Sequence, residues 1–165
     1  MFNFSKENEI NSIVIGVDEV GRGPLAGPVF AAAVILSKNI CLKGINDSKK
    51  LSKKKLGEIF SRIISFSKFS IGLSTVEEID KINILQASLL AMKRAVEKIN
   101  VKDADILVDG TFSFDKENKN IKTFVHGDSI YPSIAAASII AKVVRDRYMC
   151  LLSKKFPEYG WDKNC

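Results

Sequence analysis

Four carboxylates of this 165-residue chain stand where short apolar runs give way to glycine-containing turns. Asp18 and Glu19 precede Gly21-Arg22-Gly23, Asp109 precedes Gly110, and Asp128 follows Gly127. Carboxylates gathered within a few ångströms repel and raise one another's pKa unless a hard cation sits between them. Mg2+ suits such a donor set, because it takes oxygen ligands, keeps several waters and is readily shared between carboxylates and a substrate's phosphates. Two such ions about 3.5–4 Å apart can activate a water and stabilise a leaving oxygen, so the chemistry would be phosphodiester hydrolysis. The residue types alone leave plainer uses open. Asp109-Gly110 also suits an ordinary turn, Asp128-Ser129 a helix cap, and Asp18-Glu19 a solvated surface pair.

Whether the four acids converge depends on the elements that carry them. Ile13 to Asp18 and Val29 to Leu36 read as buried strands, joined through Gly21, Gly23, Pro24, Gly27 and Pro28 into a hairpin. A basic loop at 46–55 follows, in which Ser52 caps a helix with the apolar face Leu56, Ile59, Phe60 and Ile63. Residues 66–74 read as a third, more exposed strand. Thr75 with Glu78 forms a capping box, and Ile82, Leu85, Leu89, Met92, Val96 and Ile99 make one helical stripe. Strands at 104–110 and 121–129 then each deliver an acid at the C-terminal end, before a helix starting near Pro132 with the stripe Ile134, Ala137, Ala141, Val144, Tyr148 and Leu151. This order predicts one domain, 1–165, with a mixed sheet and helices on its faces. In open α/β sheets, ligand sites form at strand C-termini, so the acids meet if the first, fourth and fifth strands are neighbours. Side chains alternate along a strand, so Asp18 and Glu19 reach one site together only if the first strand breaks there, at the turn that begins with Gly21.

Bulk properties narrow the partner class. With 46% apolar and 27% charged residues the composition is that of a globular protein, and Lys+Arg 25 against Asp+Glu 19 gives a net charge of +6 that favours a polyanionic partner. Cys41, Cys150 and Cys165 form no C-x-x-C pair, which points away from a zinc site or disulfide framework and toward reduced thiols in the cytoplasm. The first residues lack a signal-peptide pattern, and the longest apolar stretch, 27–36, is too short to span a bilayer, so no membrane partner is expected. His126, the only histidine, reads as a surface or supporting residue rather than a general base.

Four segments, GVDEVGRGPLAGPVFAAAVIL (16–36), NDSKKLS (46–52), LVDG (107–110) and GDSIYPSIAAASIIAKVVRD (127–146), together resemble type 2 ribonuclease H, the bacterial ribonuclease HII family. The resemblance runs in order from about Ile13 to Trp161. It implies a ribonuclease H-like three-layer α/β fold, a mixed sheet of about five strands with helices on both faces. It also implies an endonuclease that hydrolyses the RNA strand of RNA–DNA hybrids and nicks DNA 5′ of an embedded ribonucleotide, using Mg2+ or Mn2+ and leaving 3′-OH and 5′-phosphate ends. By resemblance Asp18, Glu19 and Asp109 are metal ligands, and Asp128 is a fourth carboxylate that positions a second ion. Gly21, Arg22 and Gly23 match the turn that touches the ribonucleotide 2′-hydroxyl, the group that separates RNA from DNA. Lys49 and Lys50 match a loop on the nucleic-acid side, while Lys53 to Lys55 read as a solvated run. Ser133, Ser138 and Lys142 either face the substrate or form the polar side of a packed helix. No obligate protein partner is indicated. The family pattern continues past Asn164 with a tyrosine and a C-terminal helix that the sequence given does not contain, so a truncated binding relative stays open, as does another metal nuclease of resolvase or integrase type.

Overall fold

The first two apolar runs fold back on each other: β1 (Ile13–Val20) pairs antiparallel with β2 (Val29–Leu36), with Gly16 opposite Val34 and Val20 opposite Phe30. The computed structural model describes residues 2–45 and 52–161, so Lys49 and Lys50 lie outside the described residues. β3 (Ser67–Ser74) extends the antiparallel part on β2. β4 (Ala104–Asp109) returns parallel to β1, and β5 (Ile121–Phe124) lies parallel to β4. The sheet order is β3-β2-β1-β4-β5, which places the ends of β1 and β4 side by side.

Helices cover both faces, as expected. α2 (Lys53–Ser65) starts at Ser52, whose side chain accepts from the Lys55 N–H at 3.4 Å. Leu56, Ile59, Phe60 and Ile63 bury its inner side. α3 (Val76–Ile99) opens with the full Thr75/Glu78 capping box. Arg94 closes on that box with two bonds to Glu78, 2.6 and 2.8 Å, and holds the Glu78 carboxyl down at about 2. α4 (Pro132–Lys155) packs with α2 over Ala32, Val34 and Leu36, while α3 covers Ile15, Val17, Ala31 and Ala33 on the other face.

Several boundaries differ from the sequence reading. β1 does not end at Asp18 but continues two residues to Val20, because the hairpin partner goes on pairing, Glu19 opposite Ala31. The segment 121–129 is a strand only to Phe124; Gly127–Ser129 is a 3-10 turn, entered through His126 in the left-handed region at φ 56°. α3 kinks at Asn83 (φ 67°), whose side-chain oxygen accepts from the Leu85 and Gln86 N–H groups and so starts the second half of the helix. The buried centre of that half is Ala87, Ala91 and Ala95, with Leu89 and Val96 flanking, since small residues let the helix sit close to the sheet. Along α4 the predicted stripe holds for Ile134, Ala137 and Ala141, then drifts outward to Tyr148 and Leu151 as Met149 and Ser153 take the inner face. A short helix not foreseen, α1 (Ser5–Asn8), packs ahead of β1. Among the described residues no helix is long and apolar enough to cross a membrane.

Candidate active site

Asp18 and Asp109 follow directly on Val17 and Val108, which are opposite one another in the parallel β1–β4 pair. The two aspartates therefore leave the sheet on the same face, at adjacent strand ends. That face lies under α4, and the Ser138 hydroxyl hydrogen-bonds the Asp18 carboxylate. Asp18 is only 6% exposed, and it also accepts the Glu19 backbone N–H at 2.7 Å. Burial pushes its carboxyl well above the ordinary aspartate range, and the charges of Glu19 and then Asp109 push it further.

Glu19 stands on the opposite side of an unbroken strand, yet it belongs to the same electrostatic cluster. Burial raises its carboxyl, Asp109 adds to the rise, and the Arg22 guanidinium, donating from Nη1 at 3.2 Å, offsets part of it. The strand break expected after Asp18 is thus unnecessary for charge coupling. β4 ends at Asp109, so the last residues of β1 have no neighbouring strand on that side to shield them. Asp109 is held by the turn that follows β5, with the Gly127 N–H donating to its Oδ1 at 2.7 Å. This bond brings Asp128, the next residue, to the same end of the sheet, where its Oδ1 accepts from Ser129 at 3.4 Å.

The Gly21-Arg22-Gly23 turn is supported from below by a residue that the sequence reading missed. Arg145 on α4 is 3% exposed, and it donates from Nε to the Pro28 carbonyl at 3.2 Å and from Nη2 to the Ala26 carbonyl at 2.8 Å. Gly21, at φ 110°, passes so close that a Cβ there would stand 2.8 Å from the Arg145 Nε. Arg145 lies seven residues beyond Ser138, two turns along the same helix face, but no residue near it in sequence points to the carbonyls it binds. Ser133 is completely buried rather than at the surface, and Lys142 is half-exposed, paired with Asp146 at 3.1 Å. His126 is exposed at the start of the Asp128 turn.

The donor set fits a hard cation, for the cluster offers carboxylate oxygens, two of them on acids that burial and mutual repulsion force upward, with Arg22 on one side. Among the described residues, no group of three or more His, Cys, Asp or Glu side chains stands close enough together in this conformation to hold a metal ion. Glu19 is engaged by Arg22 and Asp109 by Gly127 in this conformation.

Acids on adjacent strand ends of a five-stranded mixed sheet, beneath a long helix, define a ribonuclease H-like nuclease. The solved ribonuclease H2 from Pyrococcus horikoshii OT3 superposes with a TM-score of 0.77 at 30% identity, covering 88% of this chain and 78% of that one. The Bst-RNase HIII structure in complex with Mn2+ shares the fold, with a TM-score of 0.74 at 23% identity over 86% of this chain and 54% of that one. Residues 15–165 match the family model for ribonuclease HII. The ribonuclease HII of Wolbachia pipientis subsp. Culex pipiens (strain wPip) is 51% identical over 163 residues, 98% of this chain and 82% of that protein. The chain belongs to the ribonuclease HII family and is a ribonuclease H endonuclease.

Proposed function

We propose that the chain cuts the RNA strand of RNA–DNA hybrids and nicks duplex DNA on the 5′ side of an embedded ribonucleotide, through the carboxylate cluster of Asp18, Glu19, Asp109 and Asp128. The observation that carries the reading is the placement of Asp18 and Asp109 on one face at adjacent strand ends, with Glu19 coupled to both. Asp18, Glu19 and Asp109 would hold Mg2+ or Mn2+, and Asp128 would orient a second ion. When bound, such ions lower the pKa of a water and neutralise charge on a leaving oxygen. In the overall reaction the water oxygen bonds to phosphorus, the P–O3′ bond breaks, and the water's proton ends on the 3′-hydroxyl, leaving a 5′-phosphate on the ribonucleotide.

The remaining residues bind and orient. Ser138 holds the Asp18 carboxylate, and the Gly127 N–H fixes Asp109. The Gly21-Arg22-Gly23 turn, braced by Arg145 through the Ala26 and Pro28 carbonyls, offers backbone groups at close range to a ribose 2′-hydroxyl. Lys142 and the basic excess of the chain suit phosphate contact, in keeping with a polyanionic substrate and a cytoplasmic setting.

The test is cleavage, with Mg2+ or Mn2+, of duplex DNA carrying one ribonucleotide, beside an RNA–DNA hybrid and an all-DNA control. The ribonucleotide duplex and the hybrid should be cut and the control left intact; equal cutting of the control overturns the reading. Asp109→Asn keeps an oxygen acceptor for the Gly127 N–H but removes the charge, so turnover should fall at least about a hundredfold while duplex binding, measured by anisotropy, changes little.

A further inference from the structure

Glu7 lies outside the carboxylate cluster, yet it is 4% exposed. Its Oε1 accepts two hydrogen bonds from Ser133, one from the backbone N–H and one from Oγ, both at 2.8 Å and across 126 residues of chain. The first N–H groups of a helix have no partner within it. In α4 the first helical residue is Pro132, which has no N–H, and Tyr131 at the cap position makes no side-chain bond. Ser133 is therefore the first residue of α4 with an N–H to satisfy, and the N-terminal segment satisfies it. The positive end of the helix dipole favours a carboxylate at this place.

The same helix start is tied to the acids. The Ile130 and Tyr131 N–H groups donate to the Gly127 carbonyl at 2.9 and 2.8 Å, and Gly127 in turn donates to Asp109. Ala135 N–H bonds the Tyr131 carbonyl at 3.0 Å, which locks the turn onto the helix. The segment that carries Glu7 has its own anchors: Phe2 and Phe4 pack against the core under α2 and α4, and Ile10 against Leu107, Tyr131 and Ile134. We propose that Glu7 is a positioning residue, a helix cap delivered from the N-terminal segment that fixes the start of α4 and, through the Gly127–Ser129 turn, the placement of Asp109 and Asp128. The inference rests on the assignment of those two acids to the active site.

The test compares Glu7→Ala, Glu7→Gln and Ser133→Ala with the wild type, with Asp109→Asn run in the same assays. Two quantities are read: kcat and KM on a ribonucleotide-containing duplex, and the hydrogen exchange of the Gly127 amide in the metal-free protein. Glu7→Ala should lower kcat about tenfold with KM within about twofold, and speed Gly127 exchange about tenfold, the size of one buried charged hydrogen bond. Glu7→Gln, which keeps an oxygen acceptor, should restore both to within about threefold of wild type, and Ser133→Ala should fall between. Gly127 exchange in Glu7→Ala or Ser133→Ala that matches wild type overturns the proposal, as does an unchanged kcat in Glu7→Ala where Asp109→Asn abolishes turnover. Turnover that survives Asp109→Asn would instead remove the site assignment, while the exchange result continues to report on the cap. Should Glu7→Ala not fold, the exchange comparison is made on Ser133→Ala and Glu7→Gln.

Discussion

Gly16 lies on β1 two residues before Asp18 and on the same face, where the strand rests directly against α4. A Cβ at this position would stand 2.1 Å from the Ser133 carbonyl carbon and 2.4 Å from the Ile134 nitrogen. Ordinary contact begins near 3.4 Å, so Gly16→Ala must drive α4 outward by 3.4 − 2.1, about 1.3 Å. The obstacle is helix backbone, which cannot swing aside as a side-chain tip can. Overpacking of this kind costs about 1–3 kcal/mol of stability. Catalytic groups tolerate roughly 0.5 Å of displacement, and a shift of about 1 Å can cost about a hundredfold in rate. Ser138 would leave Asp18 by more than that tolerance. Gly72→Ala supplies the control, since its Cβ would meet the Ala91 carbonyl oxygen of α3 at 1.9 Å, on the face that carries Glu19 but two strands away from it and clear of Asp18, Asp109 and α4. Urea melts should show comparable destabilisation of the two variants. In steady-state cleavage at a temperature where both are folded, Gly16→Ala should lose about a hundredfold in kcat and Gly72→Ala little. Equal losses of turnover, or a fully active Gly16→Ala, would refute the argument that α4 sets the site.

Two further perturbations address charge and support. Burial raises the Asp18 carboxyl above its ordinary 3.8, so its contribution to stability is present below that value and lost as pH rises through the raised one. Metal-free Asp18→Asn should therefore melt above wild type at about pH 8 and close to it at about pH 3; a lower melting temperature at the alkaline pH contradicts this. Arg145→Met strips the Ala26 and Pro28 carbonyls of their donors, each lost bond worth about 1–3 kcal/mol. KM for a ribonucleotide-containing duplex should rise about tenfold with a smaller change in kcat, and a KM that stays constant while stability falls would separate the turn from substrate recognition.

Local signals in the sequence located most elements because local physics decides them. Ser52 and the Thr75/Glu78 pair start their helices where their side chains can cap, and Pro132 begins α4 at the one place a missing N–H costs nothing. The four acids were legible as a group because each stands where an apolar run gives way to a glycine-containing turn. Boundaries set by a partner strand were not legible: β1 runs on to Val20 only because Ala31 and Phe30 are there to pair. Nor could periodicity show that α3 turns its alanines inward, since that choice answers to the close approach of β3 rather than to hydrophobicity. Glu7 and Arg145 were missed, and Ser133 was left between two roles, for one shared reason. Each is a polar residue buried by a partner far away in sequence, and nothing in its immediate neighbours announces that partner.

α4 meets three separate parts of the molecule along one rigid body: Glu7 at Ser133, Asp18 at Ser138, and the turn carbonyls of Ala26 and Pro28 at Arg145. At about 1.5 Å per residue these stations are spaced about 7.5 and 10.5 Å apart, and one added residue would rotate everything beyond it by about 100°. Such a helix tolerates exchange of side chains far better than any change in their number. A single inserted codon between those for Ser138 and Arg145 would turn the arginine about 100° away from the face it shares with that serine. The stretch from 134 to 144 is therefore where the gene should admit no length variation, whereas the exposed residues 115–119 of the β4–β5 connection leave room for added length.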